Sequence, residues 1–249
     1  TLDLSKALIQ KGHKSFVISG GGILVDELEQ FGARHFEIPV HIKSLRTLFL
    51  AKSLSETISS IDPDIVHIRS RMPAWVNFRA FKKLQKKPLL VSTFHGLYSF
   101  PIYSKVMSFV DHSIAISKTV ERYILENYKL DKGDITVIPR GCDPLEFNNE
   151  VINPVDKANI IEEFPQIVGK KVLTIPGRIT KWKGVAEFID LLSLLDDNYH
   201  GLIVGPTAKS KKKYLNKLQY KVSSLNLEDK ITFTGSRRDI ANIYKISDI

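Results

Sequence analysis

Apolar and polar positions follow two rhythms along the chain. Short, almost wholly apolar runs read as strands: SFVIS (15–19), HFEIP (35–39), DIVHIR (64–69), PLLVSTF (88–94), HSIAIS (112–117) and DITVIPRG (134–141). Between them, apolar residues recur every three or four positions, which predicts helices over about 23–31, 44–60, 75–85, near 100–110 and over 118–128. The opening stretch is amphipathic too, with Leu4, Leu8 and Ile9 on one face and Gly12 as a stop. Ser117 reads as the N-cap of the helix that follows it. Strands without polar alternation are those covered on both faces, so the pattern predicts a doubly wound parallel sheet.

Between 139 and 165 the rhythm breaks. PRGCDPLEFNNEVINP carries prolines, asparagines and a glycine without clear periodicity, the composition of a linker. Alternation then restarts with KKVLTIP (170–176), HGLIVG (200–205) and KITFTG (230–235), separated by helical stretches at about 184–195, 209–224 and 239–246. The prediction is α/β throughout: two Rossmann-like doubly wound domains, residues 1–150 and 151–249, the second incomplete. The chain opens inside a helix without a methionine, and Asp248 and Ile249 read as the start of another strand. It is expected to be a fragment.

Composition narrows the partners. With 249 residues, 43% hydrophobic and 25% charged, the chain reads as globular, and a formal charge of +9 suggests an anionic partner. The single cysteine, Cys142, excludes an internal disulfide framework. No apolar run approaches the roughly 20 residues that span a bilayer. Lysine clusters at 82–87 and 209–213 suit an anionic membrane surface or an ordinary solvated helix face. No helix-turn-helix, zinc or RNA-binding signature points to nucleic acid.

In open α/β sheets ligands sit beyond the carboxyl ends of the strands. The strand exits here are rich in glycine and arginine: Gly20-Gly21-Gly22, Arg69-Ser70-Arg71 and His95-Gly96 in the first half; Gly177-Arg178, Gly205-Pro206 and Gly235-Ser236-Arg237-Arg238 in the second. GRITKWKG (177–184) crowds Arg178, Lys181 and Lys183 where a helix begins. Such like charges suit either a solvated loop or an anion at a helix N-terminus.

GRITKWKG, with VIPRGCDPLEF upstream and GLIVG and ITFTGSRRDI downstream, resembles the retaining glycosyltransferases of family 4, which have the two-domain GT-B fold. STFHG and DHSIAISKTVERYIL match the first domain of the same family, so the resemblance covers nearly the whole chain in the family's order. It implies transfer of a sugar from a nucleotide-sugar donor to a glycan or glycolipid acceptor, with retention of configuration and no required metal or other cofactor. Lipopolysaccharide or another cell-surface glycan is the expected product, made at the cytoplasmic face of the inner membrane.

Residue by residue, the resemblance makes Arg178 and Lys183 the pair that grips the donor diphosphate, on the loop opened by Gly177. Gly205, Ser236 and Arg237 correspond more loosely to positions around the nucleotide. His95 corresponds to a histidine that contacts the donor sugar and orients the acceptor, and a structural histidine is the plainer alternative. Arg69 and Arg71 are candidates for an anionic acceptor, or simply a charge cluster at a helix start. Lys181 reads as solvated and Trp182 as packing.

The family's Gly-rich loop would precede Thr1 and its Glu-x7-Glu motif would follow Ile249, so this stretch alone is expected to be inactive. Asp62-Pro63-Asp64 has the spacing of a metal-binding motif from another glycosyltransferase fold but precedes a strand, and reads as a turn. No histidines pair at metal-ligand spacing. Two alternatives stay open: another GT-B enzyme such as a nucleotide-sugar epimerase, and a non-catalytic basic protein that binds polyanions.

Overall fold

The computed structural model describes residues 1–98, 101–148 and 150–249. It comprises two units, Thr1–Gly141 and Cys142–Ile249, each with its own cores. The sequence pattern set the boundary near residue 150.

In the first unit, α1 (Leu2–Gln10), β1 (Phe16–Ser19), α2 (Val25–Gln30) and β2 (Arg34–Glu37) form a two-stranded parallel ribbon. A 3-10 turn over Leu45–Leu50 runs directly into α3 (Ala51–Ile61). Then come β3 (Ile65–Ile68), α4 (Arg71–Phe81), β4 (Leu89–Phe94), α5 (Pro101–Ser104), β5 (His112–Ala115), α6 (Lys118–Asn127) and β6 (Ile135–Val137). Strands β3 to β6 make a four-stranded parallel sheet in chain order, with Ile68 level with Ser92 and Val91 with His112. The predicted strands are all present, shortened by a residue or more at most ends. Ser117 caps α6 as expected, accepting from the Val120 amide at 3.2 Å. The start of the helix predicted near 100–110 lies outside the described residues.

Helix α4 begins four residues earlier than the periodicity suggests. It serves two cores: Ala74 packs with Phe94, Met107 and Ile124, whereas Val76 and Ala80 pack with Leu54, Ile58 and Val40. A helix buried on two sides loses the single apolar stripe by which helices are recognised. Asp62 takes the left-handed conformation after α3 and its carboxylate binds Lys86 at 2.8 Å, so Asp-Pro-Asp is a turn at the amino end of β3.

The second unit contains α7 (Pro154–Glu163), β7 (Lys171–Pro176), α8 (Val185–Leu194), β8 (Tyr199–Val204), α9 (Lys212–Ser224), β9 (Ile231–Gly235) and α10 (Ile240–Lys245). The parallel sheet runs β7-β8-β9. Along β8, Ile203 faces one core with Ile189 and Leu218, and Leu202 and Val204 face the other with Ile160 and Ile243. Both faces are covered, as continuous apolar strands require. Helix α7 corrects the reading of 139–165 as wholly linker. Its cue was local: Asn153 caps it by accepting from the Val155 amide at 2.8 Å, with Pro154 in the first turn. The chain's end lies along the outer edge of β7, where Thr174 N–H donates to the Ile249 carbonyl at 2.9 Å and Asp248 N–H to that of Val172 at 2.8 Å.

Candidate functional site

The loop leaving β7 is fixed by its buried members. Ile179 is sunk in the core and its amide donates to the Pro206 carbonyl at 3.1 Å, while the Gly177 amide donates to Val204 at 2.7 Å. The neighbouring exit comes very close. A Cβ on Gly205 would lie 2.0 Å from the Gly177 carbonyl oxygen, and its φ is +151°. Only glycine allows the β7 and β8 exits to meet in this way.

With Ile179 pointing inward, Arg178 points out and is exposed. A one-turn 3-10 segment, Lys181–Lys183, then delivers Lys183 back over the loop, its aliphatic stem 3.6 Å from where a Gly177 Cβ would be. Gly184, in the left-handed conformation, turns the chain into α8. It offers no side-chain cap, so the first amides of α8 remain available to an anion. Among the described residues neither Arg178 nor Lys183 has a carboxylate partner.

Trp182 is not a packing residue. It is 71% exposed, and the Lys183 ammonium sits over its ring at 4.5 Å from the centroid. The indole instead holds the lysine. Lys181 is exposed.

Arg237 is placed differently. Its guanidinium binds Asp239 through two nitrogens, at 2.8 and 2.6 Å, and Glu163 at 2.5 Å, and it stacks on Phe164. These hydrogen bonds, Asp239 first, push its pKa up. Its charge is neutralised within the protein and ties the β9 exit to α7, leaving exposed Ser236 and Gly235 as that loop's open positions.

In the first unit, Arg69 and His95 leave adjacent strands. The half-buried Arg69 has its pKa lowered by burial and then by the Arg140 guanidinium, with Asp3 opposing. Neither arginine has an ion pair among the described residues. Arg140, at the β6 exit, was not singled out in the sequence, although it occupies the same kind of position as Arg69. Arg71, by contrast, is the first residue of α4 and lies over the rings of Tyr98 and Tyr103, at 4.8 and 5.4 Å, with a hydrogen bond to Ser104.

His95 is half-buried, and its Nδ1 is buried with no partner among the described residues. A buried polar atom left unpaired costs about 1–3 kcal/mol, so this nitrogen is open to a hydrogen bond from a water or a ligand group. His67 meets Thr93 Oγ1 at 2.7 Å. Burial, then Arg69, lowers the His67 pKa to about 4; burial, then Arg69, Arg140 and His67, does the same for His95. Both imidazoles are neutral at pH 7. The unfolded chain takes up these protons near pH 6.5 and the folded unit only near 4. The stability they govern is therefore full above about pH 6.5 and is lost as pH falls toward 4. The ring C2–H resonances of both residues should titrate with midpoints below about pH 5, and the melting temperature should drop across the same interval. A midpoint near 6.5 for either would contradict the arrangement.

The family model for Glycosyltransferase Family 4 matches residues 1–145, and that for Glycosyl transferases group 1 matches residues 156–249. An uncharacterized glycosyltransferase of Methanocaldococcus jannaschii is 32% identical over 214 residues, 76% of this chain and 51% of that protein. A glycosyltransferase crystal structure from Rickettsia africae is 32% identical, with a TM-score of 0.82, covering 99% of this chain and 66% of that one. Anabaena HepE, solved in complex with UDP and glucose, superposes with a TM-score of 0.83 at 18% identity, over 99% of this chain and 68% of its own. The last likeness speaks for the fold alone. This chain thus spans about half of the archaeal relative and about two thirds of the two solved structures. It belongs to glycosyltransferase family 4, with two Rossmann-like α/β units of the GT-B type.

Proposed function

We propose that this chain carries the donor and acceptor machinery of a retaining glycosyltransferase that moves a sugar from a nucleoside-diphosphate donor to a glycan or glycolipid, of the lipopolysaccharide type, at the cytoplasmic face of a membrane. The observation that carries the reading is the pair of exposed cations, Arg178 and Lys183, at the exit of β7, with no carboxylate among the described residues to neutralise them. In the reaction the bond from the sugar's anomeric carbon to the diphosphate breaks, the acceptor oxygen bonds that carbon, and the acceptor's proton ends on the diphosphate. Charge grows on the leaving group, and cations already aimed there stabilise it without rearrangement. Arginine brings a planar fork and lysine a point charge, so the two do different work and together stand in for a divalent ion.

Gly177, Gly205 and Ser236 line the donor side in this reading, while Arg237 acts by holding its loop. His95, neutral at pH 7, offers the sugar a hydrogen bond rather than a proton, and Arg69 with Arg140 meets an anionic group of the acceptor. The relation of Anabaena HepE to UDP and glucose supports the donor class. The isolated chain should bind nucleotide without transferring sugar.

Calorimetric titration tests the reading directly. Nucleoside diphosphates of uridine, adenosine and guanosine should include one that binds at least tenfold more tightly than its monophosphate, since each charge-assisted hydrogen bond contributes about 1.5–3 kcal/mol. Arg178→Gln should erase that preference. Equal binding of mono- and diphosphate would remove the case for a diphosphate site.

A further inference from the structure

The 3-10 turn Leu45–Leu50 and α3 present two faces. Thr47, Ala51, Leu54, Ser55 and Ile58 are buried. The opposite face continues downstream through exposed Lys52, Ser53 and Glu56, the polar surface expected of a solvated helix. At its start, however, the exposed surface carries Leu45, 83% exposed, and Phe49, 81% exposed, with exposed Ile42 three residues before Leu45. Exposed Lys43 and Arg46 are interleaved with them, and residues 40–55 contain no acidic side chain. Single exposed apolar residues are ordinary, but this arrangement is not scattered. Large apolar side chains aimed outward and ringed by cations are what an anionic bilayer surface accommodates, the hydrocarbon below the headgroups taking the tips and the phosphates the charges.

We infer that residues 42–52 dock the protein on an anionic lipid bilayer, with Leu45 and Phe49 inserted and Lys43 and Arg46 against the headgroup phosphates. A second protein surface would be expected to carry acids to meet these cations or to bury the helix's polar length as well. The apolar content here is confined to one end, as a shallow insertion requires. The inference gives a place to the membrane contact in the function proposed above, yet it is read by lipid binding alone and does not depend on sugar transfer.

Co-sedimentation at 0.15 M salt would use vesicles of phosphatidylcholine with 30–40% (roughly, to set a negative surface potential) phosphatidylglycerol, and pure phosphatidylcholine for comparison. The wild-type chain should bind the anionic vesicles and leave the neutral ones largely free. Lys43→Gln with Arg46→Gln should weaken the partition by roughly fivefold per charge, and Leu45→Ser with Phe49→Ser by tenfold or more. Both pairs are exposed, so circular dichroism and melting temperature should stay at wild-type values. Removing the cluster elsewhere, Lys211→Gln, Lys212→Gln and Lys213→Gln together, should change binding by no more than about threefold, the effect of distant charge alone. Failure to bind anionic vesicles overturns the inference. So does an equal loss in the distant lysine variant, which would mean the protein is merely basic, and so does a wild-type dimer that Leu45→Ser with Phe49→Ser converts to monomer, which would make a second copy the occupant.

Discussion

Lys183→Ala in the full-length enzyme is expected to slow sugar transfer about 100- to 1000-fold, the usual consequence of losing one fixed electrostatic donor at a developing negative charge. Lys183 is held at two points, its stem against Gly177 and its ammonium over Trp182. Lys181 is the internal control. It has the same charge two residues away and is exposed. An exposed charge contributes on the order of 1 kcal/mol or less, so Lys181→Ala should stay within a few-fold of wild type. Lys183→Arg should also be impaired, because a guanidinium cannot occupy the place of a compact ammonium without shifting the phosphate. If the two alanine variants behave alike, the loop is only basic and the assignment of Lys183 is wrong.

Gly205→Ala should be the most damaging small substitution in the second unit. The added carbon would fall 2.0 Å from the Gly177 oxygen and 2.6 Å from its carbonyl carbon, on a backbone with φ of +151°. The obstacle is main chain, so no side chain can swing aside. Overpacking of this kind costs about 1–3 kcal/mol, and in a unit of about 100 residues each kcal/mol shifts the midpoint by roughly 4–8 °C. A fall in melting temperature of about 5–20 °C follows, together with weaker nucleotide binding, because the same displacement moves Arg178. Gly133→Ala, where nothing lies within 4 Å and φ is not positive, should melt within about 2 °C of wild type. Equal melting of the two variants would mean that the β7 and β8 exits are not in contact.

What the sequence disclosed was what neighbouring residues decide together. Strands, most helices and the exits of β3, β4, β7, β8 and β9 follow from periodicity and from glycine. Helix α4 was misplaced at its start because it is buried between two cores, and α7 was missed although Asn153-Pro154 announced it. What it could not disclose concerns partners far apart along the chain. Arg237 has Glu163, 74 positions away, on its guanidinium. Arg71 lies against Tyr98 and Tyr103, contacts that its own neighbours do not announce. Trp182 reads as packing in the sequence, yet it lies on the surface under the adjacent lysine. No local pattern encodes whether a charge already has a counter-ion, and that question separates Arg178 and Lys183 from Arg237.

The segment 247–249 along β7 bears on how the loop carrying Arg178 responds to a ligand. Val172 N–H donates to the Asp248 carboxylate at 2.7 Å, and Thr174 Oγ1 meets Ser247 Oγ at 2.6 Å, so β7 is gripped on its outer edge as well as by β8. A loop hung from a strand clamped on both sides has little freedom left to lose when an anion arrives. Its ordering entropy was spent in folding, and the residues that spent it lie at the opposite end of the unit's sequence from Cys142.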